Sequence, residues 1–260
     1  MGNDEPDDTL RARLGYVAFA VALMTASFVL VKTGRDALYF QARGLFDLPK
    51  AYIGIAILSV PFAFATLRLM RLLGPRAARI VAPMSMAALL TVSGFIAQPG
   101  GGPFMTALFI LIPLAYGVLF SLAWLLAADL LDGVPSHRLA KGYGVIGAGS
   151  IVGGIAGGLA AKAVAVLAEP RVLLWVGAAT LAASAVTMWI AQTRFDGHVL
   201  ATKPRRGSMG DGGVVAVLRH RYAIVLLGVA MAASLTGIFV EFQFYLAAST
   251  TAQTGQQSAT

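Results

Sequence analysis

Cysteine is absent from this chain and histidine occurs three times, so disulfides, thiolate nucleophiles and cysteine-based metal sites are excluded at the outset. His137, His198 and His220 fall between the long apolar runs, too scattered to share one metal ion. Charge is scarce as well: Asp, Glu, Lys and Arg make up 12% of the 260 residues, while hydrophobic residues make up 58% and the mean hydropathy is +0.77. That balance lies outside the soluble globular range. Alternation of polar and apolar residues is also missing, which excludes a membrane barrel. What is present instead is a series of unbroken apolar runs, each of the roughly 20 residues needed to cross a hydrocarbon core of about 30 Å.

Seven such runs stand out, at about 14–38, 51–73, 78–98, 104–131, 143–167, 171–192 and 222–247. The bilayer offers no water to backbone amides, so the runs must be helices. The expected fold class is an all-α polytopic transmembrane helical bundle. A net charge of +8 and a pI near 10.1 would suggest nucleic acid in a soluble chain, but here the cations segregate by loop. Arg11, Arg13, Arg68, Arg71, Arg76, Arg79, Arg138, Lys141, Arg194, Lys203, Arg205, Arg206, Arg219 and Arg221 fall on one side. Arg43, Lys50 and Arg171 fall on the other, with Lys32, Arg35 and Lys162 in or near spans. This bias orients the amino terminus toward the cytoplasm, as in a bacterial inner membrane, and makes lipid rather than nucleic acid the partner of the basic surface.

The start "MGNDEPDDTLRAR" carries acids where a secretory signal carries cations, and Pro6 departs from a myristoylation motif. Residues 1–12 therefore read as a cytoplasmic tail and 13–192 as a six-span repeat. The stretch 193–221 reads as a basic cytoplasmic linker, 222–248 as the first span of a second repeat, and 249–260 as a polar tail, a truncated loop. On this reading the chain is the first part of a six-plus-six transporter.

Three stretches could carry chemistry. "GVIGAGSIVGGIAGGLAA" approaches a dinucleotide-binding fingerprint at Gly147, Gly149 and Gly153, but no strand precedes it and no acid follows at the required distance. Glycines at 149, 153 and 157, and at 154 and 158, instead form small-xxx-small patterns for close helix packing, so no cofactor is expected. The loops "RLMRLLGPRAARI" and "DLLDGVPSHRLAKGYG" mix turn formers with cations, and Asp129 beside them could pair with a neighbouring arginine as an inner gate. The alternative for Arg68, Arg71 and Arg76 is simple anchoring to the lipid surface.

The third stretch is "VLVKTGRDALYF", where Lys32, Arg35 and Asp36 share roughly one helix face and Asp36 can neutralise only one cation. Counted from Leu14, Lys32 and Arg35 lie about 27 and 32 Å along the helix, where snorkelling is an alternative to function. Glu241 lies about 29 Å along the seventh run, at a matching depth, and makes a gate with Lys32 or Arg35 conceivable. No His or Cys lies inside a span, which argues against an intramembrane enzyme, and Thr25, Ser27 and Ser234 read as helix-packing hydroxyls.

"VLVKTGRDALYF", "LPKAYIGIAILS", "RLAKGYGVIGAGSIVGGIAGG" and "VEFQF", in this order, resemble the ATP:ADP antiporter family of nucleotide transporters. The resemblance implies exchange or uptake of a nucleotide or related anionic metabolite. It also implies substrate binding at Lys32 and Arg35, with gate or coupling roles at Asp36, Asp129 and Glu241. The chain departs from the family in having no acid in span four before Asp129, and Phe244 and Tyr245 where lysines follow the span-seven Glu. Two other readings stand beside this one. One is a proton- or ion-coupled exporter with Asp36, Asp129 and Glu241 as proton carriers; the other is a non-transporting membrane subunit.

Overall fold

Helix starts follow the prolines. The computed structural model describes residues 7–43, 47–97, 102–132, 134–195 and 221–257. Its helices are α1 (Asp7–Ala42), α2 (Leu48–Leu73), α3 (Pro75–Ile96), α4 (Gly102–Leu130), α5 (Ser136–Leu167), α6 (Pro170–Arg194) and α7 (Arg221–Gln257). Pro49, Pro75, Pro103 and Pro170 sit in first turns, and Pro135 caps α5, all places where the missing amide hydrogen costs nothing. Between α2 and α3 the chain reverses on one residue, Gly74, whose φ of 77° only glycine adopts cheaply.

Six helices, α1 to α6, are long and apolar enough to cross a membrane, and the described residues contain no strand. The protein is an all-α polytopic membrane protein. Its chain divides into two units, Met1–Thr202 and Lys203–Thr260. In the first, α1 is the central helix, packed on α4, α5 and α6, while α3 lies against α6 and α2 leans mainly on α4. The outermost is α2, with Ile53, Ile57, Val60, Phe64, Leu67 and Leu72 all exposed, as suits a lipid-facing helix.

Small residues draw the core together. Side chains built on Gly149, Gly153 and Gly157 of α5 would collide with the backbones of Ala18, Ala22 and Ala26 of α1, so the two helices touch main chain to main chain. Gly158, on the second glycine pattern, has nothing within 4 Å. Hydroxyls tie the remaining seams. Ser27 donates to the Gly177 carbonyl at 2.6 Å and shares a 2.6 Å hydrogen bond with the Tyr116 hydroxyl. Ser184 donates to the Ala20 carbonyl at 2.7 Å, and Thr25 meets Ser150 at 3.0 Å. The side chain of Ser234 lies outside the described residues.

Three boundaries differ from the sequence reading. Residues 7–12, expected as tail, already belong to α1: the segment has no proline, and its Leu, Arg and Ala are sound helix formers. Residues 249–257, expected as loop, continue α7: the segment has no proline, and its Ala and Gln are sound helix formers. The expected seventh span is helical throughout, but its apolar stretch is shorter, Met231–Ala247. Most of the expected linker, 196–220, lies outside the described residues. Between α1 and α2, Lys50 meets Asp47 at 2.8 Å, and this bond holds the Asp47 carboxyl below the usual carboxylate range.

Candidate functional site

Ionised groups inside a membrane bundle are costly, so those that are buried define where to look. Near the far end of α1, Arg35 is buried at 5% exposure and Asp36 at 8%. Both Nε and Nη2 of Arg35 donate to Asp36 Oδ1, at 2.8 and 2.5 Å. Its Nη1 donates to the Phe109 carbonyl at 3.2 Å, and the guanidinium lies 4.0 Å from the Phe109 ring centre. That carbonyl is available for a covalent reason. In a helix Phe109 would accept from the amide four residues on, but that residue is Pro113, which has none. Arg35 thus fills a vacancy that proline creates in α4.

Lys32, one turn earlier on α1, is half-buried. The sequence reading sets Arg35, with Lys32 beside it, as candidates for an anion and leaves snorkelling open. In the structure Arg35 is committed to Asp36 and to α4, inside the bundle rather than reaching out of it. Asp36 is the immediate neighbour of Arg35, about 100° further round the helix, so the single face expected for Lys32, Arg35 and Asp36 does not hold for the last two. The long arginine side chain bends back to it because the Phe109 ring and carbonyl hold the other side of the guanidinium.

Asp129, near the end of α4 and about 30 Å from Phe109 along the helix, meets a different cation. Arg79 Nη2 donates to Asp129 Oδ2, with the arginine side chain 3% exposed and the carboxylate 37%. Arg68, Arg71 and Arg76, which the loops bring to mind first, stay exposed. The signal for Arg79 was its place on the apolar stripe of α3, where Pro83, Met86, Leu90 and Ser93 are buried with it at helical spacing. At the same end of the first unit Arg13 is buried, 5.7 Å from the Phe195 ring centre, and Arg194 donates to the Tyr16 hydroxyl at 2.9 Å. Neither Arg13 nor Arg79 was singled out in the sequence as a core residue.

Glu241 belongs to the second unit, where the Tyr245 hydroxyl donates to its Oε1 at 2.9 Å. The structure therefore brings Arg35 and Asp36 together, sets Lys32 beside them on α1, and places Asp129 with Arg79 at the opposite end. Among the described residues no group of His, Asp and Glu is arranged to hold a metal ion. Two cavities lie elsewhere. Spaces of about 410 and 590 Å³ flank α2, both bordered by Phe62, Thr66, Met70, Val118 and Leu122, and neither touches a charged side chain.

Fold and buried charges together define a polytopic helical membrane protein whose central helix carries a buried ion pair. No family model, no curated protein and no solved structure matches the chain.

Proposed function

We propose that the chain acts in alternating-access transport of an anionic metabolite, a nucleotide or a compound like it, as the resemblance to the ATP:ADP antiporter family implies. The observation that carries this reading is the buried Arg35–Asp36 pair with Lys32 one turn away, since cations held inside a bundle are what a polyanion needs on its path. Lys32 meets the substrate as a compact charge, and Arg35 is released to it when a phosphate replaces Asp36. Arg79–Asp129 acts as the tie at the cytoplasmic end. The arginine distribution supports an amino terminus in the cytoplasm.

The test is uptake of labelled ADP by the full-length protein in vesicles. Lys32→Ala should lower the apparent affinity about ten- to a hundredfold, the loss of a charge-assisted bond of about 1.5–3 kcal/mol. Normal uptake by Lys32→Ala and Arg35→Ala at wild-type expression would overturn the reading. A proton-coupled exporter is the second reading, favoured by the two arginine-held carboxylates, Asp36 and Asp129. It predicts transport that collapses with the proton gradient, whereas an exchanger runs on the opposing nucleotide alone.

A further inference from the structure

We propose that α4 carries a hinge at Pro113 and that Arg35 is its latch. While the guanidinium holds the Phe109 carbonyl, α4 keeps its course; once it lets go, the first half of the helix, residues 102–112, swings away from α1. Proline in a helix interior removes one hydrogen bond of the ladder and leaves a place that bends. Three helices have such a proline: Pro61 in α2, Pro83 in α3 and Pro113 in α4. Counted back four residues, they leave the carbonyls of Ile57, Arg79 and Phe109 without their helical amides. Of these three, among the described residues, the Phe109 carbonyl alone receives a side chain from another helix, Arg35 Nη1 at 3.2 Å.

The two halves of α4 are held differently. Beyond Pro113 the Tyr116 hydroxyl shares its 2.6 Å hydrogen bond with Ser27, the Phe28 ring lies 5.2 and 6.0 Å from the rings of Tyr116 and Phe120, and Arg79 holds Asp129. Before Pro113 the directional tie to α1 is Arg35. The Tyr39 ring, 4.4 Å from the Phe109 ring, and the Arg43 guanidinium against Gly102 add packing contacts, which allow sliding. On the other side of this half there is room. A cavity of about 690 Å³ lies between Leu58, Pro61 and Ala65 of α2 and Pro103, Ala107 and Ile110 of α4. The same stretch of α4 turns Met105, Phe109 and Ile112 to the core, so a swing away from α1 moves into that space.

The latch depends on the shape of arginine. Its Nε and Nη2 meet the Asp36 carboxylate while Nη1 reaches across to α4, so one planar fork joins both helices. Lysine, a compact point charge, would neutralise Asp36 without spanning both partners. Release widens the gap between α1 and α4 at the level of the ion pair and uncovers the pair itself. The hinge stands on this geometry and not on the identity of any ligand.

The test is a distance measurement between nitroxide labels on the full chain in lipid nanodiscs, with the cysteine-free sequence as background. One label pair is Ala107→Cys on α4 with Ala179→Cys on α6, both exposed. The control pair, Leu125→Cys with Val186→Cys, lies beyond the hinge. A bend of about 20° over the roughly 9 Å from Pro113 back to Ala107 moves that label about 3 Å. Arg35→Lys, which keeps a charge beside Asp36, should lengthen the first distance by about this much and leave the control unchanged. Adding Pro113→Ala gives the Phe109 carbonyl its helical amide back and should return the distance to the wild-type value. The neutral pair Arg35→Gln with Asp36→Asn should behave as Arg35→Lys does, so the outcome does not hang on one variant. Wild-type distances in both latch variants overturn the proposal. So does a lengthening that Pro113→Ala fails to reverse, or one that the control pair shares, since the looseness would then not be a hinge at Pro113.

Discussion

Arg35 is held from three directions, by Asp36, by the Phe109 carbonyl and by the Phe109 ring, so removing its counter-charge is worse than removing the pair. Asp36→Asn should destabilise the protein by about 3–5 kcal/mol, read as a large fall in melting temperature in detergent. The double change Arg35→Gln with Asp36→Asn should cost less than Asp36→Asn alone, and an equal or greater loss would count against the pairing. Tyr116→Phe, which removes one hydroxyl from Ser27, should cost only about 0.6–1.7 kcal/mol, the range for hydrogen bonds between membrane helices. At this scale the sequence showed which charges fall within the apolar runs better than whom they meet. Lys32, Arg35, Asp36 and Asp129 stand out because charge is rare in the runs. The partners were hidden because Arg79 reads as one more loop arginine, and because the freed carbonyl of Phe109 shows only when Pro113 is counted back four residues.

The pairing of α1 with α5 is a matter of small residues on both helices, so substitutions along α5 should separate by face. Gly153→Leu or Gly157→Leu must push two backbones apart and should cost at least about 1–3 kcal/mol, seen as lower folded yield and lower melting temperature. Gly158→Leu, with open space before it, should fold normally. Equal damage at all three positions would contradict the packing described. Here the glycine spacing was legible in the sequence, and so were the helices themselves, since long apolar runs bounded by proline admit little else. Helix ends were less legible. Polar residues at 7–12 and 249–257 suggested loops, although polarity alone does not stop a helix that lacks proline.

For the whole molecule, the arginine bias makes a prediction about sidedness. With one cysteine introduced at a time and an impermeant thiol reagent added outside sealed cells, Lys50→Cys should react and Ser208→Cys should not until the membrane is opened. The reverse pattern would invert the topology. The number of spans in the first unit and their order followed from the sequence, because each run is long enough and each link short enough to force reversal. What each inward-facing charge contacts did not follow, since that depends on how six helices rotate about their own axes.

The vacancy that Pro113 leaves in α4 bears on the order of synthesis. Arg35 enters the bilayer with α1 long before Phe109 has been made, and until then its counter-charge can come only from nearby in the chain. Asp36, the adjacent residue, travels with it, so the pair enters the membrane already neutral. The bond to the Phe109 carbonyl closes when α4 arrives. A nascent chain halted before Phe109 should therefore hold α1 in the membrane less firmly than one halted after Leu130, and Asp36→Asn should impair insertion most in the shorter chain.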